Sequence, residues 1–185
     1  PKYNNDEILK IINEKELINK FKIDFYEYVK LYPFIAKKLS EEKIVGWFQG
    51  RSEWGPRALG NRSILADPRN PNMKDIINLK IKRRESFRPF APVTLKEFRH
   101  EWFESNYISQ YMSSLSIVKK DKQKIVPAIT HIDGTARVQI VEKSTNFKLA
   151  SLLESFKKIT NVPVLLNTSF NENEPIVMKP EEALN

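Results

Sequence analysis

Residues 50–69 read GRSEWGPRALGNRSILADPR, and they place three of the chain's five glycines, Gly50, Gly55 and Gly60, among Arg51, Arg57, Arg62 and Arg69. Glycine lets backbone N–H groups approach a ligand closely, and a guanidinium offers phosphate or carboxylate a rigid fork of donors. The chemistry to expect from that mixture is the holding of an anion. Gly55 and Gly60 have the G-x-x-x-x-G spacing of a phosphate-binding loop, but Asn61 and Arg62 follow where that loop requires Lys and Ser or Thr. This is not a Walker A motif. A glycine-rich turn whose arginines pair with Glu53 or Asp67 would use the same residues, because structural ion pairs also gather charge.

Two further constellations carry similar chemistry. The stretch KIKRRESFRPFAP, residues 80–92, sets Lys82 and Arg88 at the end of a predicted helix and just before Pro89, where the chain must turn extended. If both point into one cleft, they hold a polyphosphate from two sides. Arg83 and Arg84 suit a plainer role, as cations near a helix C-terminus. The third constellation joins HIDGTARVQ, residues 131–139, to LLNTSFNENEP, residues 165–175. Asp133-Gly134 makes a turn, Arg137 starts a strand, and Asn167, Thr168 and Ser169 lie where a buried strand opens, the usual end for ligands in open α/β sheets. The same residues also fit an ordinary Asx-rich turn.

Nucleophilic and metal chemistry find little support. Cysteine is absent, the two histidines His100 and His131 lie far apart, and no H-E-x-x-H occurs. His131 beside Asp133 reads as a local hydrogen-bonded pair, and no transition-metal site is expected. What remains is arginine and lysine electrostatics: holding phosphates and neutralising charge that develops during phosphoryl or nucleotidyl transfer.

The elements that must position these residues follow from hydrophobic spacing. Helices are predicted from Asn5 to about Phe21 and from Asp24 to the SEEK at residues 40–43, the second broken or restarted at Pro33. KIVGWFQG and RSILA read as strands on either side of the glycine loop. Asn70-Pro71 predicts a helix start, with Asn70 as cap and Pro71 in the first position, running to Ile81. RPFAPVTL is extended, SSLSIVK and ARVQIV are strands, Phe147 to Ile159 is a helix, VPVLL is a buried strand, and KPEEAL begins a helix. With no strict βαβ alternation, the fold class is mixed α/β: a twisted mixed sheet flanked by helices, with an N-terminal helical lead-in.

The 185 residues, 41% of them hydrophobic, suffice for one domain with a core and an N-terminal extension. No apolar run is long enough to span a bilayer and the N-terminus lacks a signal-peptide pattern, so a cytoplasmic address is expected. The net charge of +8 is unevenly built: lysines are scattered, whereas eight of the nine arginines lie between Arg51 and Arg99. Scattered lysine is a solvated surface; the arginine cluster is the informative part.

Taken together and in this order, GRSEWGPRALGNRSILADPR, KRRESFRPFAP, DGTARVQ and PVLLNTSFN..EPIV resemble the C-terminal region of the O-carbamoyltransferase family, over roughly residue 43 to the end. That family includes the nodulation-type enzymes and the antibiotic carbamoyltransferases of the cephamycin and tobramycin pathways. The resemblance implies a threonylcarbamoyl-adenylate-synthase-like (YrdC-like) fold that binds ATP with Mg2+ and forms a carbamoyl-adenylate. A preceding metal-dependent domain of the actin-like ATPase type would hydrolyse carbamoyl phosphate and pass the carbamoyl group to an acceptor hydroxyl. Iron or another metal would belong to that domain alone. Residues 1–42 would then be a lead-in from the missing N-terminal domain, and residues 43–185 a nucleotide-binding domain truncated at its C-terminus. The chain would be a fragment that does not complete the transfer alone.

Carried over by position, the resemblance makes Arg57, Lys82, Arg88, Arg137, Asn167 and Ser169 the nucleotide and carbamoyl-adenylate contacts, with Lys82, Arg88 and Arg137 in the catalytic role. Asn161 and Asn173 stand where the family often has Gly, and Asn tolerates left-handed backbone. Two other function classes compete. One is a basic RNA-binding module related to tRNA threonylcarbamoylation, against which Trp47, Trp54 and Trp102 show no stacking-platform interleaving with basic residues. The other is a domain that only packs on its missing partner, with Trp102 and Phe103 as interface residues, although core burial suits both better.

Overall fold

The apolar strand segments pair into two sheets in the computed structural model, which describes residues 2–104 and 109–184. The strands are β1 (Val45–Phe48), β2 (Arg62–Ala66), β3 (Ala91–Leu95), β4 (Phe103–Glu104), β5 (Ser116–Val118), β6 (Thr135–Ala136), β7 (Gln139–Val141) and β8 (Val164–Ser169). The larger sheet runs β1-β2-β8-β3-β7, and the smaller runs β4-β5-β6. Within the larger sheet only β3 and β7 are parallel, with Val93 opposite Gln139; the other neighbours are antiparallel. This is the mixed α/β arrangement expected from the sequence.

The helices are α1 (Asn5–Glu14), α2 (Tyr28–Ser40), α3 (Met73–Ile76), α4 (Arg99–Trp102) and α5 (Phe147–Thr160). Helices α2 and α5 bury apolar faces in the core, whereas α1 buries no residue. Helix α5 is capped by Asn146, whose side chain accepts from Leu149 N, and it stops at Asn161, which takes a left-handed φ of 60°. Its face Leu149, Leu152, Leu153 and Phe156 is fully buried, each such side chain contributing about 1.5–3 kcal/mol relative to exposure. It packs on α2 and against β3 and β8. Trp102 and Phe103, 2% and 1% exposed, belong to this core.

Several boundaries differ from expectation for local reasons. Helix α1 carries the capping box Asn4–Glu7 but ends at Glu14, because Glu16 enters left-handed backbone at φ 49°. Helix α2 starts at Tyr28 and continues through Pro33, which lies in its interior and removes a single backbone donor. Asn70 spends its side chain on Asn72 N, forming an Asx turn, so the helix begins at Met73 and not at Pro71. It then widens into a π-helical turn over Ile77–Ile81. The segment ARVQIV is no single strand: β6 belongs to the small sheet, β7 to the large one, and Arg137 stands at the crossover. Residues 180–183 form turns instead of opening a helix.

Candidate functional site

The loop between β1 and β2 is held together by its own backbone and side chains. Gly50, Gly55 and Gly60 have φ values of 53°, 106° and 102°, backbone that glycine adopts freely. One Glu53 carboxylate oxygen accepts from Leu59 N at 2.8 Å and Asn61 N at 2.6 Å, closing the loop. Arg62, fully buried, donates to the carbonyls of Gln49, Gly50 and Asn61 and lies 3.6 Å from the Phe48 ring centroid. Arg69 is paired with Asp67 at 2.5 Å. Two of the four loop arginines are therefore structural, as a plain turn would have them. Arg57 is different: it is exposed and has no ion pair or hydrogen bond among the described residues.

Arg57 lies on the wall of a cleft of about 200 Å³. The same wall holds Arg137, Asn167, Thr168 and Ser169, so three segments distant in sequence converge there. Arg84, His131 and Met112 belong to the same lining. Three guanidiniums face this space with no Asp or Glu among the lining residues. Such unbalanced positive charge suits an anion. Burial and the neighbouring Arg88 both push the Arg84 guanidinium below its ordinary value. Its Nε donates to Asn78 Oδ1 at 2.7 Å, which fixes the fork and leaves its terminal nitrogens for the cleft.

A polar network ties the three segments together. Asn167, 1% exposed, donates from Nδ2 to Ala58 O at 3.2 Å and to Gln139 Oε1 at 2.8 Å. Gln139 Nε2 donates to Leu59 O at 2.7 Å. The loop that carries Arg57 is thus pinned to β7 and β8 from below. His131 is held as well. Thr135 gives its hydroxyl proton to Asp133 Oδ1 at 2.7 Å, so it can only accept from His131 Nδ1 at 3.1 Å, leaving Nε2 as the lone-pair nitrogen. Burial, opposed by Asp133 and aided by Arg137 and Lys74, pulls the imidazole below its ordinary value.

Not every expected residue reaches the cleft. Lys82 is 2% exposed and lies beneath the loop after β8, its Nζ donating to Ser169 O at 2.5 Å, Asn171 O at 2.6 Å and Asn171 Oδ1 at 2.8 Å. It supports the wall without facing the space. Arg88 is exposed, 3.6 Å from Glu85, and is not among the lining residues. Arg83 takes a left-handed φ of 43° and pairs with Glu172 at 2.7 Å. Arg84, read from the sequence as a helix-end cation, is the member of this cluster that enters the cleft. Gln139 and His131 were also legible as parts of HIDGTARVQ, but their roles depend on contacts that sequence does not display; nothing in the sequence marks Met112. Asn173 keeps an ordinary negative φ, so its position makes no demand for glycine. Among the described residues no group of three or more His, Cys, Asp or Glu could hold a metal ion, and no helix is long and apolar enough to cross a membrane.

The family model for the carbamoyltransferase C-terminus matches residues 36–185. The chain belongs to the carbamoyltransferase C-terminus family. It is 51% identical to nodulation protein NolO of Bradyrhizobium diazoefficiens over 80% of its length and 28% of the relative's. It is 43% identical to nodulation protein U of Sinorhizobium fredii over 74% of its length and 24% of the relative's. It therefore spans about a quarter to a third of the curated relatives it matches. In fold this carbamoyltransferase C-terminal region resembles part of full-length HypF in its phosphate- and nucleotide-bound form, with a TM-score of 0.56, 18% identity, and coverage of 89% of this chain and 20% of that one.

Proposed function

We propose that the chain is the nucleotide-binding, adenylate-forming part of an O-carbamoyltransferase. In this reading it binds ATP, forms a carbamoyl-adenylate from carbamate derived from carbamoyl phosphate, and delivers the carbamoyl group to an acceptor hydroxyl bound elsewhere in a longer enzyme. The carbamate oxygen would attack the α-phosphorus and expel pyrophosphate; the acceptor oxygen would later attack the carbamoyl carbon and expel AMP. Residues 43–185 would be the nucleotide-binding domain and residues 1–42 its lead-in.

The observation that carries this reading is the convergence of Arg57, Arg137, Asn167 and Ser169 on one cleft that contains no carboxylate, in a chain of this family. Arg57, Arg84 and Arg137 would neutralise the phosphate oxygens as charge moves onto the leaving group, and Arg137 takes the catalytic role. Ser169 Oγ gives its proton to Asn171 Oδ1 at 2.7 Å, so it would meet the ligand as an acceptor. Magnesium would ride on the phosphates with few protein carboxylates, a common habit of that ion, and the acid-free wall fits such a mode. Lys82 would act through the loop it supports, and Arg88 from the rim.

Calorimetric titration with ATP and magnesium tests the reading. Binding is expected for the parent, with Arg57→Ala and Arg137→Ala each weakening it by about ten- to a hundredfold, the loss of a charged hydrogen bond. Arg88→Ala, at the exposed rim, is expected to cost less than about threefold. No binding by the parent, or equal binding by Arg57→Ala, Arg137→Ala and the parent, would show that this cleft is not the nucleotide site.

A further inference from the structure

His131 stands on a partition between two cavities. It lines the arginine cleft and also an adjoining cavity of about 390 Å³, which shares Pro89 with the cleft and draws apolar wall from Phe87, Ala128 and Ile132. The first space is cationic, and the second carries one charge of each sign, Lys74 and Asp133. Phe87 and Ile132 are 73% and 104% exposed, an apolar pair that gains by being covered. The ring between the two spaces is held rigidly. His131 N donates to Thr135 O at 2.8 Å and Gly134 N to His131 O at 2.9 Å, closing the turn that carries the side chain. Nδ1 is spent on Thr135, so Nε2 holds the lone pair, and burial favours that neutral form of the ring. Among the described residues Nε2 has no hydrogen-bond partner, and it is not one of the polar atoms sealed from solvent, so it opens on the space that its ring lines.

A ligand that uses both cavities has its parts in a fixed order. Its anion meets Arg57, Arg84 and Arg137, its apolar body covers Phe87 and Ile132, and what lies between them passes His131. An open acceptor at that point asks for an O–H or N–H on the middle of the ligand. In a nucleotide the part between phosphates and base is the ribose, with its hydroxyls. We propose that His131 Nε2 accepts a hydrogen bond from a ribose hydroxyl of the bound nucleotide and is the residue by which the site selects ribonucleotides over deoxyribonucleotides, the base lying in the cavity of Phe87 and Ile132. The inference rests on the nucleotide reading above. Its source is the chain from Asp133 through Thr135 to His131: the tautomer fixed by that chain can only accept at Nε2, so a sugar lacking the hydroxyl sets a C–H against the lone pair. Sites built to pair with a hydroxyl reject the analogue that lacks it far more strongly than apolar pockets reject an extra methylene.

The test titrates ATP, 2′-deoxy-ATP and 3′-deoxy-ATP calorimetrically, with magnesium, into the full chain. At least one of the two deoxy analogues is expected to bind the parent about tenfold more weakly than ATP. In His131→Ala that analogue should bind within about twofold of ATP, because only ATP loses a partner. His131→Gln, whose amide oxygen can stand near the place of Nε2, should restore discrimination of at least about threefold. His131→Phe keeps a ring without its acceptor and replaces His131→Ala should that variant not fold. Equal affinity of the parent for ATP and both analogues would overturn the proposal while leaving the nucleotide reading intact. Discrimination that persists in the variant without an acceptor would assign the hydroxyl to another residue and overturn it as well. If ATP and both analogues fail to bind, the nucleotide reading falls and the proposal falls with it. A preference for ATP over ITP that His131→Ala abolishes, with no preference among the sugars, would assign Nε2 to the base amine and overturn the proposal.

Discussion

Lys82 is buried beneath the loop after β8 and is not on the lining of the cleft. Its ammonium has three protons, and Ser169 O, Asn171 O and Asn171 Oδ1 all lie within 2.8 Å. Burial and the nearby Arg84 pull its pKa from 10.5 to about 8. Because the folded value is the lower one, the stability linked to this proton is fully present above the unfolded value and is lost as pH falls through about 8. Lys82→Met should therefore show two signatures. At pH 7 it leaves buried carbonyls without a donor, costing about 1–3 kcal/mol in urea unfolding, and it weakens ATP binding through the loop. Between pH 8 and 10 the parent should gain stability relative to the variant. Arg137→Ala, by contrast, should lose affinity with stability within about 0.5 kcal/mol of the parent. Lost ATP binding at unchanged stability in Lys82→Met would make Lys82 a direct contact. The sequence shows Arg57, Arg137, Asn167 and Ser169 because loops and strand ends at fixed turns aim side chains predictably. Which of Lys82, Arg84 and Arg88 reaches the cleft is not legible, because the π-helical turn at Ile77–Ile81 and the turn that follows set their directions.

Elements explain the glycines better than the ligand does. Gly50 and Gly55 have open space where a Cβ would stand, so only their backbone angles constrain them. At Gly60, with φ 102°, a Cβ would overlap Leu149 Cδ2 in the first turn of α5. The loop and the helix are thus packed backbone against side chain, with Gln49 Nε2 joining Gly60 O to the α5 cap Asn146. Gly50→Ala should cost about 1 kcal/mol, and Gly60→Ala at least about 2–4 kcal/mol from strain and overpacking combined. In Gly60→Ala/Leu149→Ala the cost should fall short of the sum of the two single changes, because the overlap is gone. Additive costs in denaturant unfolding would mean that the helix does not press on the loop. The helices and strands of the larger sheet are legible from apolar spacing. The division of ARVQIV between two sheets is not, since the segment reads as one continuous strand and only pairing distant in sequence separates β6 from β7.

At the scale of the molecule, the net charge of +8 makes some affinity for any polyanion inevitable, which is why a basic RNA-binding module competes with the nucleotide reading. The distribution of the charge separates the two. Lysines such as Lys10, Lys22 and Lys37 are solvated and paired loosely with Glu14, Asp24 and Glu41 at 3.7, 3.3 and 4.0 Å. A strand bound over that surface releases counterions, so four neutralised phosphates imply about a fiftyfold loss of affinity between 50 and 200 mM salt. The cleft differs in kind, with Arg84 and Arg137 half-buried and His131 and Asn167 fixed by hydrogen bonds. Charges held there are screened less, and ATP with magnesium carries less charge, so its affinity should fall by no more than about tenfold over the same range. Competition completes the measurement: poly(U) at 200 mM salt should fail to displace ATP, and Arg137→Ala should weaken ATP binding while leaving poly(U) binding within about twofold. Equal salt slopes for the two ligands, together with mutual displacement, would place both on one diffuse surface and favour the RNA-binding module over the cleft.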